Sequence, residues 1–173
     1  MSQPVRIEVP AGSLVLLIGP SGSGKTTFAA EKFGGTRALS SDEMRAIVGD
    51  DPNDQSVTDA AFELLHTAVG LRLAGRRTTV VDATNVEGWA RAGLLAVARR
   101  FDRPAIAIVL ALPLEVCLAR NSDRRDRRPP PVLVRQHRLM TDSFRTLGNE
   151  GFAAVHVLDS EEAAKRVSVK MER

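Results

Sequence analysis

The run from Leu14 to Thr26 constrains this chain more than any other. Five consecutive apolar residues, Leu14-Val15-Leu16-Leu17-Ile18, lead into Gly19-Pro20-Ser21-Gly22-Ser23-Gly24-Lys25-Thr26, and Thr27-Phe28-Ala29-Ala30-Glu31-Lys32 follows. An unbroken apolar run of that length reads as a strand covered on both faces, the pattern of a parallel sheet. The octet has the spacing GxxxxGK[ST], and the residues after it read as the opening of a helix. Strand, loop and helix in that order are the setting in which this spacing cradles phosphate. Gly19, Ser21, Gly22, Ser23, Gly24 and Thr27 are the candidates to surround phosphate oxygens with backbone N–H groups, and the helix N-terminus adds a favourable dipole. Lys25 is placed to reach the β- and γ-phosphates, and the Thr26 hydroxyl to ligate Mg²⁺. The alternative, a Gly/Ser linker ahead of an ordinary helix, is disfavoured by both flanks. A chain with this segment is expected to bind a nucleoside triphosphate.

The remaining pattern extends the same architecture. Apolar runs predict strands at Val5–Val9, Leu14–Ile18, Arg37–Leu39, Thr78–Asp82, Ala105–Leu112 and Ala154–Leu158. Helical spacing runs through Ser56–Leu73, Gly88–Phe101, Leu114–Arg120 and Val132–Leu147, the last beginning beyond the break at Pro129-Pro130-Pro131. Alternation of this kind predicts an α/β fold of the P-loop NTPase type: three layers, a central parallel sheet with helices on both faces, and an arginine-rich lid at about residues 120–131. Pro10-Ala11-Gly12 is the turn from a first, edge strand into the phosphate-loop strand. Without repeats or a linker, residues 1–173 read as one domain.

Composition narrows the setting. The formal net charge is only +3, yet Arg120 to Arg138 holds seven arginines against Asp123 and Asp126. A cluster of that sign suits the phosphates of a nucleotide or of a nucleic acid. Tyrosine is absent and aromatic residues make up 4%, so no extended base-stacking platform is expected. Cys117, the one cysteine, lies among Leu114, Val116 and Leu118 and reads as a buried thiol. The N-terminus lacks the apolar core of a signal peptide, and no apolar run is long enough to span a membrane. The expectation is a cytoplasmic protein with no membrane partner.

Three further segments follow predicted strands, where ligands of open parallel sheets gather. In Ser40-Ser41-Asp42-Glu43-Met44-Arg45, the Asp42 carboxylate and Arg45 share a helical face at a spacing of three. Asp42 can serve as general base towards an attacking hydroxyl, with Arg45 orienting the acceptor. Ser40-x-x-Glu43 is equally a capping box, which by itself accounts for an acidic first turn. Asp82 in Asp82-Ala83-Thr84-Asn85 is placed to support Mg²⁺ beside Thr26, while Asn85 reads either as a helix cap or as a substrate contact. Arg120, Arg124 and Arg127 have the spacing of one helical stripe and can fold over the transferring phosphoryl group, although a solvated charged face has the same spacing. Asp50 to Gln55 reads as a plain polar loop. His66, His137 and His156 have neither metal-ligand nor triad spacing, and Trp89 is expected to pack.

In order and spacing, GPSGSGKTTF, SSDEMR, DDPNDQSVTDAAF, VVDATNVEGWAR and ARNSDRRDRR resemble the kinase domain of bacterial polynucleotide kinase-phosphatase, over essentially the whole chain. The resemblance implies transfer of the ATP γ-phosphate to the 5′-hydroxyl of an RNA or DNA strand, with ATP and Mg²⁺ required. It implies Lys25 and Thr26 on phosphates and metal, Asp42 as the base, and Arg45 and Gln55 at the acceptor. Arg120, Arg124 and Arg127 would then engage ATP phosphates, with Arg128 the alternative for the third place. Such domains are typically followed by phosphatase and ligase-like modules and work beside an RNA 3′-end methyltransferase in RNA repair. Residues 1–173 would then be an excised domain or a free-standing relative. A P-loop kinase of a small-molecule hydroxyl, or an ATP-binding regulatory module, are the rival readings.

Overall fold

Residues 5–172 are described by a computed structural model. Five parallel strands form the central sheet: β2 (Leu14–Ile18), β3 (Ala38–Ser40), β4 (Thr79–Asp82), β5 (Ala105–Leu110) and β6 (Ala154–Leu158), in the spatial order β3-β4-β2-β5-β6. All five side chains of β2 are fully buried because its two faces feed two different cores. Leu14, Leu16 and Ile18 meet Leu65 and Val69 of α3 (Thr58–Ala74) and Leu94 of α4 (Gly88–Arg100). Val15 and Leu17 meet Phe28 and Phe33 of α1 (Lys25–Phe33) and, beyond them, Cys117 of α5 (Leu114–Ser122). Burial of each such side chain contributes roughly 1.5–3 kcal/mol, so β2 is a stiff mount for the loop that leaves it. The fold is the expected α/β sandwich with a parallel sheet and helices on both faces.

Several elements depart from the sequence reading. The first strand, β1 (Arg6–Val9), is not an edge of the central sheet. It pairs in parallel with β7 (Ser168–Met171), a strand the pattern did not reveal, in a separate two-stranded sheet. Ile7 and Val9 join the same core as α1, which alternation within so short a segment could not indicate. Helix α2 (Ser41–Gly49) is capped by Ser40, whose hydroxyl accepts from the backbone N–H groups of Asp42 and Glu43. The proline triplet starts a helix rather than preceding one: α6 spans Pro130–Ser143. Proline suits a first helical turn, where its missing N–H has no intrahelical acceptor. Helix α7 (Glu161–Arg166) also escaped the pattern; Ser160 caps it at Ala163. The signal-peptide reading falls mostly on residues 1–4, outside the described residues. No helix among those described is long and apolar enough to cross a membrane.

Candidate active site

The phosphate loop hangs between the end of β2 and the start of α1. Gly24 adopts φ 88° and ψ 20°, and no side chain caps the helix it precedes, so the first-turn N–H groups of α1 face the loop's interior. Gly22, at φ 80°, allows the loop to lie against the Cys117 carbonyl of α5, where a Cβ would collide. Lys25 Nζ donates to the carbonyls of Gly19 and Pro20, each at 2.9 Å, and to Ser23 Oγ at 3.4 Å. Its burial lowers the ammonium pKa to about 8, against the opposing pull of the Asp82 charge. Ser21 N–H donates to Gln136 Oε1 of α6 at 2.9 Å, a contact between the loop and a distant helix that no local pattern signals.

The segment after β4 ties this loop to the sheet. Gly19 N–H donates to the Thr84 carbonyl at 2.9 Å, and Asn85 Nδ2 donates to the Leu17 carbonyl at 2.7 Å. Asn85 is therefore not a helix cap, since α4 begins after Glu87; its Nδ2 is committed to β2, while its Oδ1 is buried without a hydrogen-bond partner. Its residue is buried, and its left-handed backbone, φ 49°, aims the amide back at β2. Thr26 Oγ1 donates to Asp82 Oδ2 at 2.7 Å. Among the described residues no group of three or more His, Cys, Asp or Glu side chains gathers that could hold a metal ion alone. Mg²⁺ needs only one or two protein oxygens when phosphates and water complete its shell, so the hard oxygens of Thr26 and Asp82 fit it.

Asp42 and Arg45 meet as their spacing requires: Arg45 Nη1 donates to Asp42 Oδ1 at 2.9 Å. Arg45 is buried, its Nε also reaching Thr58 Oγ1 at 3.4 Å, whereas the Asp42 side chain is 48% exposed. A second guanidinium reaches the same oxygen from across the cleft, Arg128 Nη2 at 3.4 Å. Oδ2 has no hydrogen-bond partner among the described residues and is left for a ligand. Capping and pairing coexist here, because Ser40 uses backbone N–H groups and leaves the Asp42 carboxylate free.

The arginine segment is not one helical stripe. Helix α5 ends at Ser122, so Arg120 is helical while Arg124 and Arg127 lie on the connection to α6. The buried Asn121 closes that connection on itself: Oδ1 accepts from Arg128 N–H at 2.9 Å and Nδ2 donates to the Arg128 carbonyl at 2.8 Å. Arg120 pairs with Glu161 of α7 at 3.0 Å and lies against Gly24. Of the two candidates for the third arginine, Arg128 lines the second of the cavities described next, whereas Arg127 is exposed and lines neither.

Two cavities open on the loop. One, of about 510 Å³, runs from Gly22–Thr27 past Phe28 and Glu31 to Arg120, Glu161 and Lys165. The other, of about 480 Å³, holds Asp42, Arg45, Gln55, Asp82 and Arg128, with Phe62 and Trp89 on its wall. Lys25, Thr26 and Arg124 line both. His137 lines neither; its Nε2 lies 3.1 Å from the Leu112 carbonyl. His66 is half-buried, with Nε2 unpartnered, and burial lowers its pKa.

Residues 14–147 match a protein family described as an AAA domain. No curated protein sequence matches the chain. Among solved structures, a gluconokinase from Sinorhizobium meliloti 1021 is similar at 19% identity, over 91% of this chain and 88% of that one, with a TM-score of 0.59. A chain of the Pnkp1/Rnl/Hen1 RNA repair complex aligns at 17% identity over 85% of this chain and 47% of its own length, with a TM-score of 0.67. Kti12 of Chaetomium thermophilum, solved with ADP-AlF3, aligns at 16% identity over 88% of this chain and 93% of that one, with a TM-score of 0.62. At such identities the likeness is one of fold.

Proposed function

The chain belongs to the AAA domain family, and on that premise we propose that it is an ATP-dependent polynucleotide kinase acting on 5′-hydroxyl ends of RNA or DNA. One observation carries the reading: two cavities meet at Lys25, Thr26 and Arg124, with an ion-paired carboxylate on the far side of one of them. The first cavity takes ATP, its phosphates on Gly22–Thr27, Arg120 and Arg124, while the N–H groups of Gly19 and Ser21 are already given to Thr84 and Gln136. The second takes the strand end, against Asp42, Arg45 and Gln55. Asp42 Oδ2 accepts the proton of the 5′-hydroxyl as that oxygen attacks the γ-phosphorus in line. The bond from phosphorus to the β–γ bridging oxygen breaks, and ADP leaves from the first cavity. Lys25 and the arginines balance the charge gathering on the transferring group. Thr26 and Asp82 are the residues that would hold Mg²⁺, which neutralises phosphate charge when bound with the nucleotide.

What favours a strand over a compact metabolite is the lining of the second cavity, where Lys25, Arg45, Arg124 and Arg128 face Asp42, Asp82 and Glu87 and leave a net positive charge. The motif resemblance points the same way, as does the likeness to a chain of an RNA repair complex. That relative is about twice as long, so any phosphatase, ligase-like or methyltransferase partners are part of the proposal. The likeness to a gluconokinase over most of both chains supports a second reading, transfer to a small polyol. A labelled-phosphate assay decides between them, with 5′-hydroxyl oligonucleotides, nucleosides and gluconate as acceptors. Label is expected in the oligonucleotide, and Asp42→Asn should lower the rate ~10²–10⁴-fold. No labelled oligonucleotide at saturating ATP would end the strand reading, and label in gluconate alone would establish the second.

A further inference from the structure

Trp89, in the first turn of α4, is the most exposed aromatic side chain among the described residues and, unlike the exposed Phe144, lines a cavity. It is 64% exposed, contrary to the expectation that it packs, and it lines the acceptor cavity. Its inner side meets Phe62 of α3 with ring centroids 5.8 Å apart and planes at 58°. Phe62 thus buttresses the indole from within and leaves much of it towards the cleft and solvent. An open indole that lines a cavity offers a face that a flat, polarisable group covers best.

The surroundings identify that ligand by charge. Arg45 and Arg128 line the same cavity as the indole and share one carboxylate, Asp42, so the three groups together keep a net positive charge. Glu87, on the same wall, is paired with Arg135 at 2.6 Å, which offsets its repulsion of an anion. An aromatic face beside fixed cations matches one nucleotide unit, with base on indole and phosphate on guanidinium.

We propose that Trp89, backed by Phe62, is the stacking platform for a base at or next to the 5′ end of the acceptor strand. The proposal rests on the reading of the acceptor as a nucleic acid strand and says how that strand is gripped. Stacking is indifferent to base identity, so the site selects for a base without selecting which one.

The chain has one tryptophan and no tyrosine, so its intrinsic fluorescence reports this position directly. The test compares a 5′-hydroxyl oligonucleotide with the same strand lacking the bases of its two 5′-terminal nucleotides. The intact strand is expected to quench the emission saturably, while the abasic strand leaves it unchanged and has an acceptor KM raised roughly tenfold. In Trp89→Ala the two strands should converge on that raised KM, with the loss in KM rather than kcat. Trp89→Phe should restore most of the difference. Equal KM values for the two strands on the unaltered protein, or label transfer without quenching, would overturn the platform and leave the kinase reading standing. Failure to label either strand at any concentration would remove both.

Discussion

Arg91 offers the sharpest test of how the site is held. It is 2% exposed and makes four hydrogen bonds. Nε and Nη2 form a fork on Glu150 Oε2 and Oε1, both at 2.7 Å, and Nη1 donates to the carbonyls of Asn85 at 2.9 Å and Val86 at 3.0 Å. Glu150 takes a further bond from Thr146 Oγ1 at 2.7 Å, and the Arg91 hydrogen bonds, ahead of opposing burial, hold its carboxyl below the ordinary range. The substitution R91M keeps the aliphatic stem but strands one carboxylate and two carbonyls. Removing one partner of a buried pair costs about 3–5 kcal/mol. For a chain of this size each kcal/mol lowers Tm by about 2–4 °C, so a fall of roughly 6–20 °C is expected. The double variant R91M/E150M removes the stranded carboxylate but not the two stranded carbonyls, so it should recover only part of the loss. Because Glu150 titrates lower in the folded state, its contribution is complete above the unfolded value near 4.5 and fades as pH falls through the folded one. The gap between R91M and the unaltered chain should therefore narrow in acid. Differential scanning calorimetry at pH 7 and pH 4 reads all three. A Tm change under about 2 °C for R91M would refute the clamp. The same segment carries the Thr84 and Asn85 contacts to β2, so phosphate transfer should fall even well below the new Tm.

Two other tests address the site directly. Lys25 loses its proton near pH 8 when folded and near 10.5 when unfolded, so between those values the unfolded chain holds more protons and this group's contribution to stability rises with pH. Urea midpoints should show that rise between pH 8 and 10.5 and lose it in Lys25→Met, while ATP affinity falls above pH 8 in the unaltered chain. Arg128→Ala should raise the acceptor KM several-fold or more, and Arg127→Ala should do so far less, because only Arg128 reaches Asp42. Steady-state kinetics with an oligonucleotide acceptor would expose the opposite ranking.

The legible parts were those whose meaning is local. The apolar run of β2, the octet after it, and the spacing of Asp42 and Arg45 each fix a geometry within a few residues, and each appears as read. What escaped was set by chain segments far apart in sequence. The pairing of β1 with β7 joins segments 162 residues apart in register, and neither is long enough to show alternation. Nothing within Gly88–Arg100 marks Arg91, whose partner Glu150 lies 59 residues further along the chain. Arg127 and Arg128 could not be ranked by spacing, because the helix assumed for them stops at Ser122. Trp89, expected to pack, meets Phe62 on one side and is otherwise exposed, an outcome set by tertiary placement.

The arginine segment makes sense once its course is followed against the two cavities. Arg120 lies on the first, Arg124 on both, and Arg128, Val132 and Gln136 on the second. Order along the chain thus runs with order across the two cavities, from the proposed nucleotide site to the proposed acceptor site. Asn121 and the proline start of α6 hold that course: the first bonds Arg128 on both sides of its backbone, and the second lets a helix begin directly beyond it. Gln136 then returns to the phosphate loop at Ser21. A phosphate that drew Arg120 and Arg124 inward would pull on the same short connection that sets Arg128 against Asp42. The two cavities thus share one short connection, eight residues from Asn121 to Arg128, closed on itself by Asn121.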